Sequence, residues 1–273
     1  MTNFVVTKEY KRFVEFCNAC KQEQYIGLCC GSAGVGKSMS TNHFARWHSI
    51  EKDIKECIKR ELLPGEPPIV PEVKELDTII YTPEVHNTPV RVKNELYDLI
   101  FAFNDLKDKV IHNKRTYSHK NYVKIIIIDE ADRLQSKSLE EVRDIYDRLC
   151  PFYYEDNKVA LILIGMPGIE KKLVRFPQLY SRIGFTHTFN PLSREEIGFI
   201  IKKHCETLNI GVDENDFTDN EAISAISRTT QGNFRLIDRL LKQSIRIMKL
   251  NKQSYISKEI IDAARECLVI GNV

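Results

Sequence analysis

Residues Gly31, Ser32, Ala33, Gly34, Val35, Gly36, Lys37 and Ser38 fill the pattern G-x-x-x-x-G-K-[ST] without a mismatch. Glycines let the chain turn tightly and aim successive backbone N–H groups at one point, which makes a cradle for phosphate oxygens. The Lys37 ammonium suits the β- and γ-phosphates of a nucleotide, and the Ser38 hydroxyl is a magnesium ligand. Met39 completes the nucleotide-contacting stretch in the first turn of a helix, whose dipole adds positive potential. About 90 residues further on, Ile125-Ile-Ile-Ile128 runs into Asp129-Glu130. A buried strand ending in a carboxylate places Asp129 beside the loop, where it holds magnesium through the metal's water shell. Glu130 then stands ready to polarise an attacking water as a general base. The expected cofactors are ATP and Mg2+, and the expected reaction is hydrolysis to ADP and phosphate.

Those residues need elements to position them. Tyr25–Cys30, Leu76–Thr82, Val123–Ile128, Val159–Ile164 and Gly184–Phe189 read as strands. Residues 1–24 and Leu139–Leu149 read as amphipathic helices, and Lys37–His48 and Val92–Leu106 as helices. The β-branched run Val123–Ile128 has the pattern of a parallel strand covered on both faces. Strands alternating with helices predict an α/β fold with a parallel five-stranded sheet and right-handed crossovers. After Asn190 only helices follow, with capping boxes at Ser193/Glu196 and Thr218/Glu221 and a cap at Ser257. Residues 1–190 are therefore assigned to the phosphate-loop domain and residues 191–273 to a helical lid. A helix, a strand and another helix fit between the loop and Asp129. The two strands need not be neighbours, and an intervening strand marks ATPases that carry a catalytic Glu. Nucleoside-monophosphate kinases lack the Asp-Glu pair.

Composition excludes several classes. Hydrophobic residues at 42% and charged residues at 29% are ordinary globular values. No apolar run approaches the roughly 20 residues of a membrane-spanning helix, and the N-terminus lacks the order of a secretory signal, so a cytoplasmic protein with no membrane partner is expected. Eight cysteines are present, and Cys17 and Cys20 form a C-x-x-C. Tyr10, Phe13, Phe16, Cys17 and Cys20 recur at helical spacing, which favours buried reduced thiols over a zinc site. A net charge of +2 leaves nucleic-acid binding to local patches.

The loop, Ile127-Ile-Asp129-Glu130-Ala-Asp132-Arg-Leu134 and Gly232-Asn-Phe-Arg235 together resemble the AAA+ superfamily. Within it, those stretches, with Leu163-Ile-Gly-Met-Pro-Gly168 and Ser181-Arg-Ile-Gly-Phe185, are most similar to transposition ATPases of the TniB, TnsC and MuB kind. The resemblance implies that Arg182 is an arginine finger acting in trans, with Arg175 as its alternative, and that Arg235 is a lid sensor touching the nucleotide phosphates. It also implies a polar first sensor at the tip of the fourth strand. Here that tip is Gly165-Met166-Pro167, which predicts slow, regulatory hydrolysis.

Proteins of that kind bind double-stranded DNA with little sequence preference, assemble on it as ATP-bound rings or filaments, and engage a transposase and a target-selection protein. Residues 107–124 hold six Lys/Arg against one acid. Lys107, Lys109, Lys114, Arg115 and Lys120 are the residues expected to meet DNA phosphates. A second basic feature is the helical stripe Arg235, Arg239, Lys242, Arg246 and Lys249. Two other readings stand beside transposition: an origin-initiator or helicase-loader ATPase, and a P-loop switch acting on a protein partner without nucleic acid.

Overall fold

The computed structural model describes residues 4–60, 69–112, 121–149, 159–207, 217–253 and 255–268. Five strands form one sheet: β1 (Ile26–Cys30), β2 (Thr78–Tyr81), β3 (Ile125–Ile128), β4 (Ala160–Gly165) and β5 (Ile183–Thr188). All pairings are parallel and the order is β2-β3-β4-β1-β5. The intervening strand expected between the two motifs is β4, paired with β1 on one side and β3 on the other. β3 consists of four isoleucines, each almost wholly buried, because helices cover both faces of a parallel sheet.

The helices ahead of the lid are α1 (Lys8–Glu23), α2 (Lys37–Phe44), α3 (Glu51–Arg60), α4 (Pro89–His112), α5 (Ser136–Leu149), α6 (Ile169–Leu173) and α7 (Pro177–Tyr180). Several differ from the sequence reading, α6 and α7 being absent from it. α2 stops four residues short of His48, because Arg46 turns into the left-handed region at φ 48°. The charged stretch after it is the amphipathic helix α3, with Ile54 and Cys57 buried. α4 runs six residues past Leu106, since Lys107 and Asp108 both find buried polar partners that let the helix continue.

The chain divides into two compact units, one of Arg12–Gly31 and Lys37–Thr188, the other of Met1–Lys11, Ser32–Gly36 and Phe189–Val273. The first, the sheet unit, packs Phe13, Cys17, Ile79, Leu96, Ile127 and Ile162 into its core. The second, the helical unit, contains α8 (Arg194–Thr207), α9 (Phe217–Thr230), α10 (Phe234–Asn251) and α11 (Lys258–Glu266). Its core gathers Ile197, Ile226, Ile237, Leu240 and Ile261. Two of the three expected caps form there, while Thr218 falls inside α9 and its side chain lies outside the described residues. Ser193 Oγ accepts from Glu196 N at 3.3 Å while Glu196 Oε2 accepts from Ser193 N at 3.0 Å, and Ser257 Oγ accepts from Ile260 N at 3.5 Å. Glu196 also accepts from Lys8 N at 2.9 Å, and Glu9 from Asn190 N at 3.2 Å, so the first residues of the chain are tied to the start of α8. Among the described residues no helix is long and apolar enough to cross a membrane.

Candidate nucleotide site

In the sheet unit, β1 delivers the chain to Gly31, whose N–H donates to Gly165 O at 3.3 Å. After the loop, Lys37 opens α2, where Thr41 Oγ1 donates to Lys37 O at 2.9 Å and Asn42 to Ser38 O at 2.8 Å. The Lys37 ammonium is half-buried and donates to Gly31 O across the mouth of the loop. Burial lowers its pKa from the ordinary lysine value, while Cys29, Asp129, Asp132 and Cys30 act in the opposite direction. Asp129 at the end of β3 is thus close enough for its charge to act on Lys37. It is buried, and one of its oxygens accepts from Glu130 N at 3.0 Å.

Glu130 adopts φ 56°, a left-handed backbone that costs a non-glycine residue free energy and persists only where the surroundings enforce it. Three side chains hold the turn that follows it. Buried Asn87 donates to Arg133 O at 3.1 Å and accepts from Gln135 N at 3.2 Å. Lys172 of α6 donates to Asp132 O at 2.9 Å and also to Leu134 O. Asp132 Oδ1 accepts from Met166 N at 3.1 Å, which links this turn to the tip of β4. The Glu130 carboxylate forms an ion pair with Arg133. Asn87, Asp132 and Lys172 escaped the sequence reading because each works through backbone atoms far away in the chain. Met166 is exposed and places its sulfur 3.9 Å from Lys37 Nζ, so no polar side chain occupies the first-sensor position.

Ser32–Gly36 belong to the helical unit. Gly34 and Gly36 take φ +81° and +111°, where an L side chain is strained. A Cβ on Gly34 would also lie 2.5 Å from Asn233 Oδ1. Asn233 caps α10 by accepting from Leu236 N at 3.3 Å, and its Nδ2 donates to Ala33 O at 2.8 Å. Arg235 N donates to Gly34 O at 3.0 Å, and its side chain is exposed. The cap was legible in Gly232-Asn233; the bond to Ala33 was not.

These residues suit a nucleotide with magnesium. Positive-φ glycines turn the loop tightly, a half-buried ammonium stands at the loop's end, and Asp129 with the exposed Ser38 offers two hard oxygen ligands. Cys30, just before the loop, hydrogen-bonds Glu170; burial and that carboxylate raise its pKa, so it stays a thiol. Cys17 and Cys20 are buried, and burial raises both pKa values.

Other expected site residues are placed differently. Arg182 is bidentate on Asp147 of its own chain, at 2.7 and 3.0 Å. Arg175 is exposed and forms no ion pair among the described residues. Lys107 is corrected outright: it lies buried in α4, donates to Leu76 O, and stands over the Phe103 and Tyr122 rings, so it cannot meet a phosphate backbone. Lys109 is half-buried near the end of α4, while Lys114, Arg115 and Lys120 lie outside the described residues. The α10 stripe is exposed throughout, with Lys242 paired to Asp238 at 2.7 Å.

A family model described as "AAA domain" matches residues 20–173. A protein of Staphylococcus aureus named "Potential ATP-binding protein" is 43% identical over 277 residues, covering 98% of this chain and 97% of its own. Two solved structures share the fold. The RuvB Holliday junction branch migration motor of Thermotoga maritima aligns with a TM-score of 0.58 at 16% identity, over 98% of this chain and 71% of that one. The ORC2 protein of Aeropyrum pernix gives 0.60 at 15%, over 100% and 72%.

Proposed function

We propose that this chain, which belongs to the AAA domain family, is an ATPase acting as an ATP-dependent regulator of transposition on double-stranded DNA. The observation that carries the ATPase reading is the strand order: β4 pairs in parallel with both β1 and β3, so the phosphate loop after β1 and Asp129 after β3 leave the same end of one sheet. In this reading residues 1–190 form the ATPase body and residues 191–273 its lid. The loop N–H groups and Lys37 bind the phosphates, Ser38 and Asp129 hold Mg2+, and Glu130 accepts a proton from the attacking water once it leaves Arg133. Bound magnesium supplies charge neutralisation for the leaving phosphates. Arg235 reports the nucleotide state from the lid. The relative named for ATP binding supports this part.

The finer part rests on the resemblance to TniB, TnsC and MuB, supported by a fold shared with a branch migration motor. ATP works as a switch: binding closes contacts between subunits on DNA, and hydrolysis loosens them. An arginine supplied in trans completes the neighbouring site. Arg175 takes that role better than Arg182, whose guanidinium is already occupied by Asp147. A transposase and a target-selection protein are the expected partners.

A mobility shift of duplex DNA, run with and without ATP at two salt concentrations, tests the reading. ATP-dependent binding that weakens with salt is expected. Absent or salt-insensitive binding would favour a switch acting on a protein partner.

A further inference from the structure

The helical unit contains a groove of about 510 Å³ between α8, α9 and α11, and none of its lining residues is assigned to the nucleotide. Small-molecule sites of that size are lined mostly by apolar side chains. This groove is lined by polar and charged side chains alone. Arg194, Arg228 and Lys258 contribute three cations, one from each helix, against the single acid Glu221. None of the three cations has an ion-pair partner among the described residues. Arg194 Nη2 donates to Ser224 Oγ at 2.7 Å, and Ser224 Oγ donates onward to Asn220 O at 2.6 Å, which fixes the guanidinium at the wall. Four of the five Arg194 N–H groups are left over, and Ser227 adds a hydroxyl.

The cations are held apart by tertiary packing rather than by spacing along one helix. Beneath them Ile197, Ile223, Ile226, Ile260 and Ile261 bury the facing sides of the same three helices. Excess positive charge on a packed framework, with hydroxyl and guanidinium donors lining one concavity, is chemistry that recognises phosphate oxyanions.

We propose that this groove is a seat for the DNA phosphodiester backbone, reading no bases and setting how the helical unit lies along the duplex. The proposal rests on the DNA reading above and replaces the buried Lys107 with a surface able to meet phosphates. Arg and Lys contacts of this kind release counterions, so each contributes a slope of about −0.9 in log affinity against log salt.

The test is fluorescence anisotropy of a 30-base-pair duplex with the full chain and a non-hydrolysable ATP analogue, from 50 to 200 mM salt. The double variant Arg228→Ala/Lys258→Ala should bind about tenfold more weakly at 0.1 M salt, with a slope shallower by about 2. Arg228→Lys/Lys258→Arg should restore both. Hydrolysis without DNA should not change, because neither residue touches the nucleotide site. If the parent binds DNA and the alanine pair binds it with the same affinity and slope, the groove assignment is overturned while the DNA reading stands. If the parent fails to bind duplex, the DNA reading falls. A Tm rise with tripolyphosphate that the alanine pair loses would then make the groove a free-polyphosphate site and overturn its assignment to DNA.

Discussion

The sheet unit holds the two ends of the phosphate loop, the helical unit holds its middle, and the two parts are built by different forces. At Lys37 and Asp129 the organising terms are burial and charge: a half-buried ammonium, a buried carboxylate, and a positive-φ Glu130 leading into a turn held by Asn87, Asp132 and Lys172. At Ala33 and Gly34 the contacts are neutral hydrogen bonds. Backbone carbonyls of Ala33 and Gly34 receive one side-chain amide and one main-chain N–H from the start of α10. Charge placed where a reaction develops charge changes rates by orders of magnitude. A neutral hydrogen bond contributes about 0.5–1.5 kcal/mol, the scale of a switch. In the proposed function the sheet unit supplies the chemistry, and the helical unit's hydrogen bonds to the loop report its state.

The comparison breaks first if the charges of the sheet unit prove dispensable. Arg175→Ala should remove oligomer-stimulated turnover by about a thousandfold, the lower range for an arginine finger, while leaving single-subunit nucleotide binding intact. Arg182→Ala should instead cost under about 1 kcal/mol of stability through its half-exposed pair with Asp147, measured as a denaturant midpoint. The reverse pattern would return the trans role to Arg182.

Glu130→Gln should lower phosphate release by about a hundredfold or more and keep nucleotide affinity, so that DNA-bound oligomers persist longer. Turnover within threefold of the parent would remove Glu130 from the chemistry. Lys37→Ala should weaken ATP binding by roughly ten- to a hundredfold, the scale of one charge-assisted hydrogen bond, read by titration of a fluorescent nucleotide. The same lysine gives a pH test. Its protonated form meets the phosphates and burial lowers its pKa, so affinity is full below that pKa and falls as pH rises through it. The decline should begin at lower pH than for an ordinary lysine.

How far the sequence reveals the molecule follows the same division. The loop, β3 and the Asp129-Glu130 pair are local patterns, since a strand's burial and a glycine turn are written in adjacent residues. The capping of α8 and α11 is local as well. What stayed hidden depends on residues that meet only after folding. Asn87 clasps a turn 46 residues away, and Arg182 finds Asp147 35 residues upstream. Lys107 shows the converse error. A basic cluster reads as a wet loop, yet this ammonium spends its charge on a backbone carbonyl and two aromatic faces inside α4. The groove of Arg194, Arg228 and Lys258 has no signature in the chain, because its three cations are 30 or more residues apart.

The smallest expected effect sharpens the comparison most, because Asn233 does two jobs that can be separated. As the cap of α10 it accepts from Leu236 N; as a donor it holds Ala33 O. Asn233→Ala removes both and should cost about 1 kcal/mol of stability together with a change in nucleotide affinity. Asn233→Ser keeps a good cap, but its hydroxyl is a bond too short to reach Ala33, and it adds no charge near the phosphates. Stability should then stay near the parent while nucleotide affinity shifts by about two- to tenfold, the worth of one hydrogen bond. A serine variant with unchanged affinity would make Asn233 a cap and nothing more, and the helical unit would lose its claim to sense the loop through that side chain.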